Sequence, residues 1–186
     1  MTDHRPTSPP GENRRDGGRQ PGRWGAAAFV FANGFVTIAL LAVVAMATRI
    51  PFVFPSLGPT AFLLFFVPGS PYASPRHTIV GHALGILCGY GALWLFGLAH
   101  APPAMLEGVG LGRVLAAALS LASTGALMIL CDAVHPPAGA TTLIVSLGII
   151  TEPFHLLIIE VAVVLMVLQA ALINRLEPHL FRRPSR

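Results

Sequence analysis

Four stretches of this chain, at about residues 25–48, 77–98, 112–131 and 153–174, run on with almost no charged side chain. A helix rises about 1.5 Å per residue, so about 20 apolar residues reach across a hydrocarbon core roughly 30 Å thick. The rest of the composition agrees. Of 186 residues, 54% are hydrophobic and only 11% are charged, against about 25% charged in a soluble domain. A chain so poor in polar surface cannot stay dissolved as a globule, and a polytopic helical membrane protein is the fold it dictates.

The few charges mark the ends. Residues 1–24 carry Arg5, Arg14, Arg15, Arg19 and Arg23 against Asp3, Glu12 and Asp16, and residues 175–186 carry four arginines against Glu177. The interval between holds only Arg49, Arg76, Arg113, Glu107, Asp132, Glu152 and Glu160. Basic flanks lie on the cytoplasmic side of membrane spans. Residues 1–24 are therefore expected to be a disordered cytoplasmic tail, and 175–186 a basic cytoplasmic one. The expected setting is a bacterial plasma (inner) membrane, with the lipid bilayer as the surrounding partner. The pI near 10 comes from these flanks and gives no reason to expect nucleic acid. The first apolar stretch is far longer than the roughly 7–15 residues of a cleavable signal core. Cys88 and Cys131 read as small core residues rather than a disulfide or a metal pair.

Two shorter apolar pieces, 54–67 and 137–150, open with proline and glycine. They match each other: Pro55 and Pro136, Gly58 and Gly139, and Thr60 and Thr141 are each separated by 81 residues. The same offset lays the first long helix on the third and the second on the fourth. The expected architecture is an all-α bundle of four long transmembrane helices and two short broken or re-entrant ones. They form two internal repeats, about 25–98 and 106–174. If the short pieces cross, there are six spans and inverted repeats; if they re-enter, four spans and parallel repeats. Interrupted segments at matching places in two halves are the best pointer to a transporter's binding site.

Polar groups concentrate at the second break, CDAVHPPAGATTL (131–143). Pro136 and Pro137 stop a preceding helix and suit the start of a new one. The first amides after them, Ala138 to Ala140, are expected to lack intrahelical partners and to carry partial positive charge. With His135, Thr141 and Thr142 they would make an anion-friendly site; alternatively His135 only caps a tight connection. His135, Pro136, Pro137, Gly139, Thr141 and Thr142, with Ser56, Gly58 and Thr60 from the first break, are the candidate substrate-binding residues. His82, Asp132, Glu160 and Arg76 are candidates for coupling or gating. Each has a plainer alternative: His82 as a bonded core residue, Glu160 paired with His82 or an arginine, Asp132 marking the watery end of a helix, and Arg76 as an interfacial arginine. Gly81, Gly85 and Gly89 recur every four residues and suit close helix packing. Arg49 reads as a snorkelling anchor. Asn33, Ser120, Ser123, Thr124 and Gln169 read as interhelical hydrogen-bonding groups.

The runs DAVHPPAGATT, FPSLGPTAFLLF and SPYASPRHTIVGHALG, set among four apolar helices, resemble the integral membrane HPP family over about residues 25–175. Pro75, Arg76, Gly81 and His82 match its PR…GH pattern. The resemblance implies a compact multi-span bundle. Some relatives append regulatory domains of the CBS type, which 186 residues leave no room for here. Its plastid and cyanobacterial members are linked to nitrite transport.

The leading expectation is thus a transporter or channel for a small inorganic anion such as nitrite. A sensor or scaffold without flux is the alternative. No enzyme activity, cofactor or metal is expected, since no nucleophile elbow, phosphate loop or ligand spacing is present. The bundle is small for enclosing a pathway alone, which favours a homo-oligomer.

Overall fold

The computed structural model describes residues 22–176; the two tails lie almost wholly outside them. The four long helices are α1 (Arg23–Thr48), α3 (Pro75–Leu95), α5 (Leu111–Leu130) and α7 (Pro153–Leu176). The short ones are α2 (Leu57–Phe66) and α6 (Ala138–Ser146). A 3₁₀ turn at Pro71–Ala73 and a single-turn α4 (Ala104–Glu107) complete the described elements and were not foreseen. Leu57 and Ala138, which open the short helices, are 81 residues apart.

The ends of the helices follow from local chemistry. Ser74 caps α3, its Oγ accepting from the His77 amide, and Pro75 takes the first helical position, where its missing N–H costs nothing. Three helices stop by the same device. Gly97 after α3, Asp132 after α5 and Gly148 after α6 take a left-handed backbone. The amide one residue further on then returns to a carbonyl five residues back, at 2.7, 2.8 and 3.0 Å.

Chain direction decides the topology that the charges left open. Phe29 near the start of α1 meets Phe65 near the end of α2 edge-on, with ring centroids 6.3 Å apart. Asn174 near the end of α7 donates to the Leu64 carbonyl of α2 at 3.2 Å. The start of α1, the end of α2, the start of α3 and the end of α7 therefore share one end of the bundle. α1 and α3 run the same way, so residues 49–66 must carry the chain back between them. In the second half the directions reverse. Arg76 at the start of α3 donates to the carbonyls of Cys131 and Asp132 at the end of α5, whereas Gly112 at the start of α5 faces Leu98 beyond the end of α3. Residues 131–146 make the opposite return. Both described chain ends thus lie at the same end of the bundle.

The packing is unchanged when the halves are exchanged: α5 and α6 pack on α3, α1 and α2 pack on α7, and α3 meets α7. The closeness differs. A Cβ on Gly81 would lie 2.7 Å from His135 Cβ, one on Gly85 2.8 Å from the Ala138 carbonyl oxygen, and one on Gly89 2.8 Å from Val145 Cβ. The three glycines therefore let α6 and the stretch before it lie backbone-close on α3. The residues 81 further on are Ala162, Met166 and Ala170, also buried, so α7 presents side chains where α3 presents none.

Two arginines close helix C-termini, where the dipole favours a cation. Arg76 does so for α5, on the surface. Arg113 is buried and donates to the carbonyls of Ser146 at the end of α6 (3.3 Å) and Pro102 (2.8 Å). It fits because residue 148 is glycine: a Cβ there would sit 2.9 Å from the guanidinium. The cysteines are free, and Cys131 corrects the expectation of two core residues, since it is exposed at the end of α5.

Gly85→Ala should lower stability by about 1–3 kcal/mol through overpacking. Gly91→Ala, whose added Cβ meets nothing within 4 Å, should be neutral or raise it by up to ~1 kcal/mol. Thermal unfolding of the two variants in detergent checks the contrast.

Candidate functional site

At the centre of the bundle the two short helices meet on one imidazole. Thr60 is the fourth residue of α2 and Thr141 the fourth of α6. Their hydroxyls take the two ring nitrogens of His82: Thr60 Oγ1 lies 2.9 Å from Nε2, and Thr141 Oγ1 lies 2.7 Å from Nδ1. His135 stands beside them, its ring centroid 5.1 Å from that of His82. Its Nδ1 donates to the Tyr72 carbonyl at 2.8 Å, and its Nε2 faces Thr60 Oγ1 at 3.4 Å. All four side chains are fully buried, as is Thr78, whose hydroxyl lies 3.4 Å from His135 Nδ1.

The proton positions follow from the acceptors. A carbonyl can only accept, so His135 Nδ1 carries a hydrogen, and in the neutral ring Nε2 accepts. His82 bonds through both ring nitrogens, so in the neutral ring it donates to one of the two threonine hydroxyls and accepts from the other. The Thr60 hydroxyl in turn donates to the Ser56 carbonyl at 3.0 Å or to His135. The bonds link α6, α3 and α2 through His82, and His135 joins the same cluster to the 3₁₀ turn.

The local sequence explains the placement. Pro136 and Pro137 forbid helix through the stretch after α5, so His135 is delivered on extended chain against Gly81, where no Cβ blocks it. One expectation is overturned here. The amides of Ala138, Gly139 and Ala140 are not free: they donate to the carbonyls of His135, Pro136 and Pro137 at 3.0–3.1 Å. The entry to α6 is a tight turn of i→i+3 bonds, which satisfies groups that otherwise wait for a ligand.

Of the candidate residues, His135, Thr60, Thr141 and His82 come together. Ser56 adjoins them through its carbonyl, while its buried hydroxyl has no hydrogen-bonding partner. The others are elsewhere. Thr142 turns to α5, 3.0 Å from Thr124 Oγ1, where the two hydroxyls tie the helices as foreseen for Thr124. Gly139 faces Leu121, and Pro136 and Pro137 line an outer apolar groove with Phe62. A Cβ on Gly58 would meet nothing within 4 Å. Asp132 is exposed and pairs with Arg76 at 3.9 Å, away from His135. Among the described residues, Glu160 has both carboxylate oxygens buried without a hydrogen-bonding partner, so the alternative in which it pairs with His82 does not form.

Sequence reasoning missed the Tyr72 carbonyl, which a one-letter code cannot display. It also missed Thr78, whose position one turn before His82 on α3 was the available signal. Among the described residues no group of three or more His, Cys, Asp and Glu is placed to hold a metal ion.

A model of the HPP transmembrane region matches residues 19–182. The chain belongs to the HPP family. No curated protein and no solved structure matches it. The family match takes in all seven helices and every residue of the cluster, so the His-Pro-Pro tripeptide of this HPP protein is seen in place: histidine inward, prolines outward.

His82→Phe should destabilise the protein by about 2–4 kcal/mol, because it strands the Thr141 hydroxyl and removes two hydrogen bonds. Adding Thr141→Val should recover part of the loss. A double-mutant cycle on detergent unfolding should give a coupling of at least about 1 kcal/mol; additive losses would show that the pair does not interact.

Proposed function

We propose that this HPP protein is a transporter or channel for a small inorganic anion, of which nitrite is the leading candidate, with its site where the two short helices meet. The observation that carries the reading is the pairing of Thr60 and Thr141, matched at the offset of 81, on the two nitrogens of His82. Two halves running in opposite directions, each bringing a broken helix to one central point, is the architecture that places a transported solute between repeats. Hydroxyls and imidazole N–H groups are the donors an anion needs, and neither Asp132 nor Glu160 bonds to them.

The cluster is closed upon itself, so a solute enters by replacing its bonds. Each is worth about 0.5–1.5 kcal/mol net, and exchanging two or three for bonds to an anion is a modest cost. His82, bonded to both short helices, is the gating residue in this reading, with His135 beside it. Asp132 and Arg76 form a surface pair outside the cluster. Glu160, a buried carboxylate, keeps a coupling role in the proposal, since an ionisable group within a span marks a functional position by default. Both chain ends lie in the cytoplasm of a bacterial inner membrane, by the arginines that flank them, and the activity is transport rather than catalysis.

One observation favours the alternative of a scaffold or sensor without flux: each side chain of the His82, His135, Thr60 and Thr141 cluster is already hydrogen-bonded within the protein, as in a purely structural core. Flux separates the two. Proteoliposomes holding the protein should take up nitrite. Thr60→Val and Thr141→Val should each reduce uptake at least tenfold, while Thr141→Ser stays near the original rate. Correctly inserted protein that moves neither nitrite nor nitrate at any pH would remove the transport reading.

A further inference from the structure

A cavity of about 510 Å³ lies at the end of the bundle that holds both described chain ends, between the end of α2, the loop before α3 and the last turns of α7. Leu64, Val167 and Ala170 make its apolar side, and Ser70, Ser74 and Asn174 bring polar groups to it. Asn174 donates through Nδ2 to the Leu64 carbonyl and so fixes the end of α2 against the last turns of α7 at the edge of this space. At roughly 30 Å³ per liquid water, the space holds on the order of 15 molecules. Among the described residues, no acidic side chain lines it.

The loop that walls this cavity also touches the central cluster. Pro71 and Ala73 line the cavity, while Tyr72 between them turns its carbonyl onto His135 Nδ1. The matching place in the other half is shut. At the offset of 81, Leu64, Ala170 and Asn174 correspond to Val145, Gly89 and Leu93. Val145 and Leu93 are fully buried, and the Gly89 position stands against Val145 with no room for a methyl group.

We propose that the cavity beside Asn174 is a hydrated vestibule through which a small inorganic anion approaches the Thr60–His82–Thr141 cluster, and that the Tyr72–His135 hydrogen bond latches the wall between them. The proposal rests on the transport reading above and adds to it the side of entry and the moving contact. An anion waits there with its water shell, beside Ser70 in the loop that carries Tyr72. It passes inward when the 3₁₀ turn releases His135, whose freed Nδ1–H then becomes a donor to the solute.

The test uses full-length protein in proteoliposomes with Cys131→Ser and Cys88→Ala as background. Ser70→Cys should react with a membrane-impermeant sulfonated thiosulfonate added on the side of the chain termini and not from the opposite side. Its modification should cut nitrite flux at least tenfold. Thr60→Cys, behind the latch, should react at least tenfold more slowly than Ser70→Cys and should speed up when His135→Ala removes the latch. Ala171→Cys, at an exposed position in the cavity wall, is the second reporter if Ser70→Cys folds poorly. Reaction only with membrane-soluble N-ethylmaleimide would make the cavity a lipid crevice and overturn the proposal. So would full modification that leaves flux unchanged. If the background protein with Ser70 intact carries no nitrite, the transport reading itself falls; if flux persists while the cavity cysteines stay unlabelled, the vestibule alone falls.

Discussion

A hydrocarbon core offers no water to a peptide group, so any backbone that leaves the helix inside it must find partners in protein. This chain breaks its helices twice, after Arg49 and after Cys131, and most of the structure answers the demands of those breaks. Prolines at 51, 55, 136 and 137 remove donors where none can be matched. The early amides of α6 are tied into tight turns, and the carbonyl of Tyr72 takes the proton of His135. The broken stretches are held in the middle of the bundle with their side chains bonded to one another around His82.

The same demand explains where small residues are found. Extended chain and the start of a helix can lie against α3 only if α3 presents almost nothing, and Gly81, Gly85 and Gly89 present nothing at three successive turns. The arginines solve a related problem at the helix ends. Arg76 meets water and has Asp132 as a loose partner. Arg113 is covered, so it must bond to carbonyls directly, and it needs the bare backbone of Gly148 to do so.

The four long helices, the two short ones and the offset that relates them could be read in the residues, because apolar length and proline breaks are written directly in composition. The central trio of His135, Thr60 and Thr141 was readable for the same reason: each sits just after a break. The number of crossings was not, because the charges leave four and six spans both open, and only their bonding shows that Arg76 and Arg113 each serve a helix C-terminus. The partner of His82 was also hidden. The offset pointed to Glu160 one turn away, but that carboxylate does not reach the ring, and Thr60 and Thr141 occupy both nitrogens. Thr142 and Gly139 looked like site residues because they lie in the motif. Helix periodicity turns them outward to α5, which spacing along a line does not display.

The unequal seats of the two short helices have a mechanical meaning. α6 is seated on glycines, with backbone against backbone and its far end pinned by Arg113, so any shift along α3 meets immediate collisions. α2 rests on alanine and methionine, with open space beside it toward both α1 and the end of α7. The half around α6 therefore resists displacement more than the half around α2 does. If the two short helices shift against each other, α2 is the one with room, and the histidine bonded to both is where that motion would be felt.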